Sequence, residues 1–169
     1  MKDVIFIRGP QGSGKTTIGK ILRKHLHFSP YFEFDWIRGY HLDPQWKRAS
    51  AGEENMSFQN VLFTIKNYLK KKYNNIILIG LEDDLRNELI QKAKIKKYVL
   101  VTLTIDSDKE LRRRVLTESR DSGFRGVEES LKINRILKRS RLLKNEIKID
   151  NSHNDPNITC QKIIKLVNS

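Results

Sequence analysis

Apolar residues fall along this chain in two alternating kinds of segment. Short runs of mostly Ile, Val, Leu, Phe and Tyr occur at Val4–Ile7, Tyr31–Phe34, Ile76–Ile79, Tyr98–Ile105 and Glu146–Ile149. Runs that are continuous predict strands buried on both faces, as in a parallel sheet. Between them, apolar positions return at helical spacing. The clearest case is 57–73, where Phe58, Val61, Leu62, Ile65, Tyr68 and Leu69 share a face, Ser57 is placed to cap the start and Asn74-Asn75 closes the segment. Further helices are predicted after Gly14, near Asp84, near Ser107, near Val127 and from Pro156, whose fixed φ suits a first helical turn. Strand and helix in alternation predict an α/β fold, with helices on both faces of a parallel sheet. No tandem repeat or low-complexity linker interrupts the pattern, so residues 1–169 read as a single domain.

Composition narrows the class. With 38% apolar residues the chain can bury a core and does not read as disordered. Lys and Arg number 33 against 20 Asp and Glu, a net charge of +13, so nucleotides, nucleic acid or an anionic membrane surface are plausible partners. The longest apolar stretches fall far short of the roughly 20 residues of a membrane helix. The N-terminal apolar run meets Arg8 and glycines too early for a signal peptide, which gives the expectation of a cytoplasmic protein. Cys160 is the one cysteine, so no internal disulfide or cysteine-rich zinc site can form. Its spacing with Ile163, Ile164 and Val167 predicts a buried, small apolar role. His25, His27 and His153 have no partners at zinc-ligand spacing.

The chemistry is concentrated at Gly9-Pro10-Gln11-Gly12-Ser13-Gly14-Lys15-Thr16, which satisfies G-x-x-x-x-G-K-[ST] directly after the first predicted strand. Glycines let the backbone curl with its N–H groups around a phosphate, and the helix that follows adds the positive end of its dipole. Lys15 is expected to neutralise β- and γ-phosphates and the Thr16 hydroxyl to ligate Mg²⁺. The expected cofactor-binding set is Gly9, Gln11, Gly12, Ser13, Gly14, Lys15, Thr16 and Thr17, together with Arg120, with ATP and Mg²⁺ as cofactors. The competing explanation is a glycine-rich turn that only joins strand to helix.

From these residues onward the whole chain resembles the P-loop kinase superfamily, whose members act on small molecules, nucleotides or polynucleotide ends. Gly9 to Thr16 is similar to its Walker A loop. Phe32-Glu33-Phe34-Asp35 resembles its second strand, ending in the acid that faces the acceptor hydroxyl. Lys109 to Arg125 is similar to its arginine-bearing helix and lid. Ile149-Asp150-Asn151-Ser152 resembles the last strand and the loop beside the nucleotide base. The resemblance implies a five-stranded parallel sheet of order 2-3-1-4-5. Asp35 with Arg38 brings the chain nearest to polynucleotide 5′-kinases, with zeta-toxin-like and antibiotic-modifying phosphotransferases close behind. Where the family's third strand commonly ends in an acid, this chain has Gly80-Leu81, and acids follow only at Glu82, Asp83 and Asp84.

Asp35 at the carboxyl end of a strand could accept the proton of an attacking hydroxyl, or could simply cap the segment that begins Trp36-Ile37-Arg38. Arg38, three residues on, can share its face and bind a substrate phosphate or carboxylate, or lie in solvent. Residues 40–56 have little periodicity and read as a mobile acceptor-side segment, with His41 and Asp43 as spare acid/base candidates. Trp36, Tyr40 and Trp46 could stack a base or sugar, although packing in the core or lid is the commoner use. Between Lys109 and Lys148, thirteen Lys and Arg stand against six Asp and Glu, so about half the excess charge lies there. Arg113, Arg114, Arg120 and Arg125 bracket Asp121-Ser122-Gly123-Phe124, a turn-rich lid at about 119–126. Arg120 and Arg125 are the arginines expected to stabilise charge on the transferred group, and Arg112, Arg113 and Arg114 cannot all share one helix face.

Three functions fit. The first is an ATP-dependent kinase with Lys15, Asp35, Arg120 and Arg125 as catalytic residues and a small-molecule, nucleoside, nucleotide or polynucleotide 5′-end acceptor. The second is an ATP-binding regulator or nucleic-acid-dependent ATPase with no acceptor. The third is a catalytically weak module that binds polyanions.

Overall fold

The computed structural model describes residues 1–39, 50–117, 125–152 and 155–168. Strands β1 (Val4–Arg8), β2 (Tyr31–Glu33), β3 (Ile76–Ile79), β4 (Tyr98–Thr104) and β5 (Glu146–Asp150) all run parallel, in the order β2-β3-β1-β4-β5. This is the five-stranded arrangement the family resemblance implied. The central strand β1 places Val4 opposite both Ile76 of β3 and Tyr98 of β4. The helices are α1 (Lys15–His25), α2 (Phe34–Gly39), α3 (Ala51–Lys70), α4 (Asp83–Lys92), α5 (Asp108–Leu116), α6 (Val127–Arg139) and α7 (Pro156–Asn168). Among the described residues no helix is long and apolar enough to cross a membrane.

The period of two along each strand sends its side chains to opposite layers. Val4, Phe6, Ile76, Leu78 and Leu100 meet Phe58, Val61, Leu62 and Ile65 of α3 and Leu89 of α4. Ile5, Ile7, Ile77, Ile79, Val101 and Leu103 meet Ile18 and Leu22 of α1 and Cys160, Ile163 and Val167 of α7. Each such aliphatic side chain contributes roughly 1.5–3 kcal/mol through removal from water. Cys160 is thus a core residue, as its spacing predicted. A smaller cluster of Ile105, Leu111, Val115 and Leu131 joins α5 and α6 to the end of β4.

Two boundaries differ from those the sequence predicts. Helix α3 starts six residues before Ser57. Ser50 accepts from the Glu53 N–H at 3.3 Å while the Glu53 carboxylate accepts from the Ser50 N–H at 2.6 Å, a capping box that nucleates the helix through Gly52. Ser57 is instead buried inside α3, donating its hydroxyl to the Glu53 carbonyl at 2.9 Å. Residues 51–56 are therefore helix, and 40–49, with Tyr40, His41, Asp43 and Trp46, lie outside the described residues. Second, β2 stops at Glu33 and Phe34 opens α2, so Asp35 sits in a first helical turn. Phe34 is buried, whereas Trp36 is 63% exposed and packs in no core.

Candidate active site

The loop between β1 and α1 owes its shape to glycines. Gly14 has φ +91°, a backbone that side chains rarely adopt, and a Cβ there would stand 2.9 Å from Nδ2 of Asn151. Gly12, at φ +83°, passes close to Val115, Leu111 and Arg114 of α5. Helix α1 begins at Gly14 with no side-chain cap and no acid in its first turn, unlike α3 and α5, whose starts are capped by Ser50 and Ser107. Its first-turn N–H donors are thus left for an anion. The Lys15 ammonium lies against the loop, donating to the carbonyls of Gly9 at 2.9 Å and Pro10 at 3.0 Å. Among the described residues the buried Ser13 hydroxyl has no hydrogen-bond partner, and a Cβ on Gly9 would lie 2.6 Å from it. Thr17 is exposed on the first turn of α1.

Thr16 is joined to Glu33, a residue outside the phosphate-loop motif. Its hydroxyl donates to the Glu33 carboxylate at 2.8 Å, and the Tyr31 hydroxyl donates to the other oxygen of that carboxylate. Burial, then the hydrogen bond and charge of Glu33, push the Tyr31 phenol above its usual range, so it stays a donor. The signal was available: Glu33 is a lone charged residue in an apolar strand, two positions before Asp35. A hydroxyl beside a carboxylate is the donor set Mg²⁺ takes from protein when phosphates and water supply its other ligands. Among the described residues no cluster of three His, Cys, Asp or Glu could hold a metal by itself.

Asp35 lies near the same edge. One of its carboxylate oxygens is 3.8 Å from the Cβ position of Gly80, just past the end of β3. Arg38 pairs with Asp35 at 3.2 Å and with Glu54 of α3, and its guanidinium carbon stands 5.6 Å from the Phe34 ring centroid. Asp35 and Arg38 thus share a face, as their spacing predicted, and Arg38 is engaged by two carboxylates rather than lying free in solvent.

Gly80 also lines a cavity of about 270 Å³, together with Arg8, Gly9, Lys15, Leu81, Glu82, Asp83 and the α6 residues Ile133 and Leu137. Its floor is a charge network not anticipated from sequence. Arg8, the residue before Gly9, donates to Thr102 at 2.8 Å, to Glu146 at 2.8 Å and to both oxygens of Asp83. Asp83 also binds Arg86, and Glu146 accepts from Thr102 and from the Leu143 N–H. Burial works against ionisation of Asp83 and Glu146. Arg8 and Arg86 outweigh it at Asp83, and the Thr102, Leu143 and Arg8 bonds outweigh it at Glu146, so both carboxyls end below their ordinary range. Helix α4 starts at Asp83, which Arg8 and Arg86 hold, and Glu82 shares the cavity wall with Lys15.

On the far side of the loop, Asn151 donates to the Ser13 carbonyl at 3.0 Å and accepts from Thr159 of α7 at 2.9 Å. Arg114 donates to the carbonyls of Asn151 and Ser152 at 3.0 and 2.6 Å and to Glu110 at 2.7 Å. Arg113 also binds Glu110, and Arg112 binds Glu128. Only Arg114 of the three turns toward the loop, as the helix geometry required. Arg125 is exposed just before α6, and Arg120 with Asp121–Phe124 lies outside the described residues, as does His153.

A glycine-shaped phosphate loop entering a 2-3-1-4-5 parallel sheet defines the P-loop kinase fold. A family model described as an AAA domain matches residues 5–133, and the chain belongs to that family. A gluconokinase from Sinorhizobium meliloti superposes with a TM-score of 0.69 at 14% identity, covering 99% of this chain and 92% of that one. A shikimate kinase from Bacteroides thetaiotaomicron gives a TM-score of 0.61 at 20% identity over 100% of both chains. An APS kinase from Mycobacterium tuberculosis, in complex with AMPPNP and APS, gives 0.58 at 13% identity, covering 99% and 98%. No curated protein sequence matches the chain.

Proposed function

We propose that the chain is an ATP-dependent kinase that phosphorylates a hydroxyl of a small-molecule acceptor. The observation that carries this reading is the convergence on one sheet edge of an uncapped, glycine-shaped loop with Lys15, the Thr16–Glu33 pair, and Asp35 beside the Gly80 wall of a small cavity. The named activities of the gluconokinase, shikimate kinase and APS kinase of like fold support it. A cavity of about 270 Å³ suits a compact acceptor better than a polynucleotide end.

Bound Mg²⁺·ATP supplies the transferable phosphoryl group and neutralises part of its charge. Lys15 would exchange its two carbonyl partners for phosphate oxygens, and the α1 N–H groups would bind the phosphates without reorganising. Thr16 and Glu33 would hold the metal. Asp35 would accept the proton of the acceptor's hydroxyl as that oxygen takes the γ-phosphoryl group and ADP leaves, and Arg38 keeps the carboxylate aimed at the site. Arg120 and Arg125 are proposed to stabilise charge on the transferred group.

Transfer of label from γ-labelled ATP to a panel of sugars, hydroxy acids, nucleosides and 5′-hydroxyl oligonucleotides tests the proposal. One small acceptor should become labelled, Asp35→Asn should retain ATP binding but lose at least ~100-fold in transfer, and Lys15→Ala should lose both. Release of free phosphate only, whatever acceptor is offered, would refute the kinase and favour the acceptor-free ATPase.

A further inference from the structure

The residue that follows β5 is fastened by both its backbone and its side chain. Asn151 is buried; its N–H donates to the Thr104 carbonyl at 2.8 Å, and its own carbonyl accepts from Arg114 at 3.0 Å. Its side chain reaches from the sheet edge to the phosphate loop, where Nδ2 donates to the Ser13 carbonyl at 3.0 Å. Its Oδ1 accepts from the Thr159 hydroxyl of α7 at 2.9 Å. A carbonyl can only accept, so the amide nitrogen has to face Ser13, and Thr159, the partner able to donate, takes the oxygen. Ser13 and Thr159 are wholly buried, so water does not compete for these bonds.

The bond to Ser13 sets the direction of a neighbouring group. In a trans peptide the carbonyl of one residue and the N–H of the next point opposite ways. A Ser13 carbonyl held toward Asn151 therefore turns the Gly14 N–H away from it. Gly14 stands at the N-cap of α1, and among the described residues its N–H has no hydrogen-bond partner. It joins the first-turn N–H groups at the positive end of the helix. The backbone alone would not keep it there. The peptide can turn over by rotating ψ of Ser13 against φ of Gly14, and glycine accepts either sign of φ about equally. Once turned, it would offer a carbonyl where the N–H had been and leave the buried Asn151 nitrogen without its partner, which is costly.

We propose that Asn151 is a positioning residue for nucleotide binding: through the Ser13–Gly14 peptide it aims the Gly14 N–H at a phosphate, and Thr159 keeps the amide the right way round. The inference rests on the reading of residues 9–16 as the nucleotide-phosphate loop and on no particular acceptor. Asn151 acts through the peptide and not on the phosphate itself. Gly14 is needed here for its lack of a side chain as well as for its φ, because a Cβ 2.9 Å from Nδ2 would push the amide off the Ser13 carbonyl. Affinity for nucleotide thereby depends on β5 and α7, at the other end of the chain from the loop.

Calorimetric titration of Mg²⁺·ADP into the full chain, below the melting range of every variant, tests the assignment without any transfer activity. Asn151→Ala should weaken ADP at least ~10-fold, the worth of one hydrogen bond to a charged group. Thr159→Val, which removes the orienting donor at nearly constant size, should weaken it about fivefold, whereas Thr159→Ser, which keeps the hydroxyl, should stay within about twofold of the parent. In the amide spectrum of nitrogen-labelled parent, the Gly14 resonance should move downfield as ADP is added, and Asn151→Ala should lose that movement. A merely structural role would lower Tm in these variants and leave both readouts at the parental value. ADP affinity within about twofold of the parent in Thr159→Val and in Asn151→Ala overturns the proposal, as does a Gly14 resonance that moves equally in parent and variant. Should Asn151→Ala fail to fold, the Thr159 pair decides by the same criterion. No ADP binding by the parent would overturn the nucleotide-loop reading and the proposal with it, whereas binding by the parent that no variant weakens would overturn the proposal alone.

Discussion

Glu146→Ala removes the innermost partner of Arg8 and gives the strongest test of the network beneath the loop. The Glu146 side chain is fully buried and that of Arg8 is 12% exposed, so the substitution leaves a guanidinium with one carboxylate fewer in a place water scarcely reaches. Breaking a buried ion pair from one side typically costs about 3–5 kcal/mol. Asp83 still binds Arg8 through both oxygens but is 47% exposed, which places the expected loss near the lower end, about 3 kcal/mol. At this chain length each kcal/mol moves Tm by roughly 2–4 °C, so a fall of about 6–12 °C is expected in a thermal melt, with a matching drop in the urea midpoint. Arg8→Met combined with Glu146→Leu should recover most of the loss, because a well-packed apolar pair carries no desolvation penalty. A melt for Glu146→Ala within about 2 °C of the parent, or a double variant no better than the single one, would refute the reasoning.

Two further outcomes follow from the electrostatics. Hydrogen bonds from Arg113 and then Arg114 hold the Glu110 carboxyl down at about 2, below its ordinary 4.5, so its contribution is fully present above that ordinary value and fades as pH falls toward 2. The urea-midpoint difference between the parent and Glu110→Gln should therefore shrink between about pH 5 and about pH 3, and a constant difference would contradict the assignment. Burial pushes the Cys160 thiol up to about 11, so a thiol reagent near pH 8 should label it only through unfolding; immediate labelling of the folded chain would show an open path to it.

The parts readable from sequence are those governed by short-range pattern. Five apolar runs became five strands, and the spacing around the loop marked Lys15 and Thr16, because steric and hydrogen-bond rules act within a few residues. The start of α3 escaped because a capping box at Ser50–Glu53 outweighed the absence of apolar periodicity. Glu33 escaped for a different reason: its role depends on meeting Thr16 across the gap between β2 and α1, which no local pattern encodes. Arg8 and Glu146 were likewise single charges at strand ends until the sheet order brought them within 2.8 Å.

That last distance, and the 3.0 Å bond from Asn151 to Ser13, each join positions 138 apart in the chain. The loop that holds the chemistry is made early in synthesis and fastened late. A nascent chain that already displays residues 9–16 but has not docked β5 and the start of α7 carries the motif without its supports. Nucleotide captured by the finished loop consequently favours the whole sheet, from first strand to last, and cannot rescue a partly assembled chain.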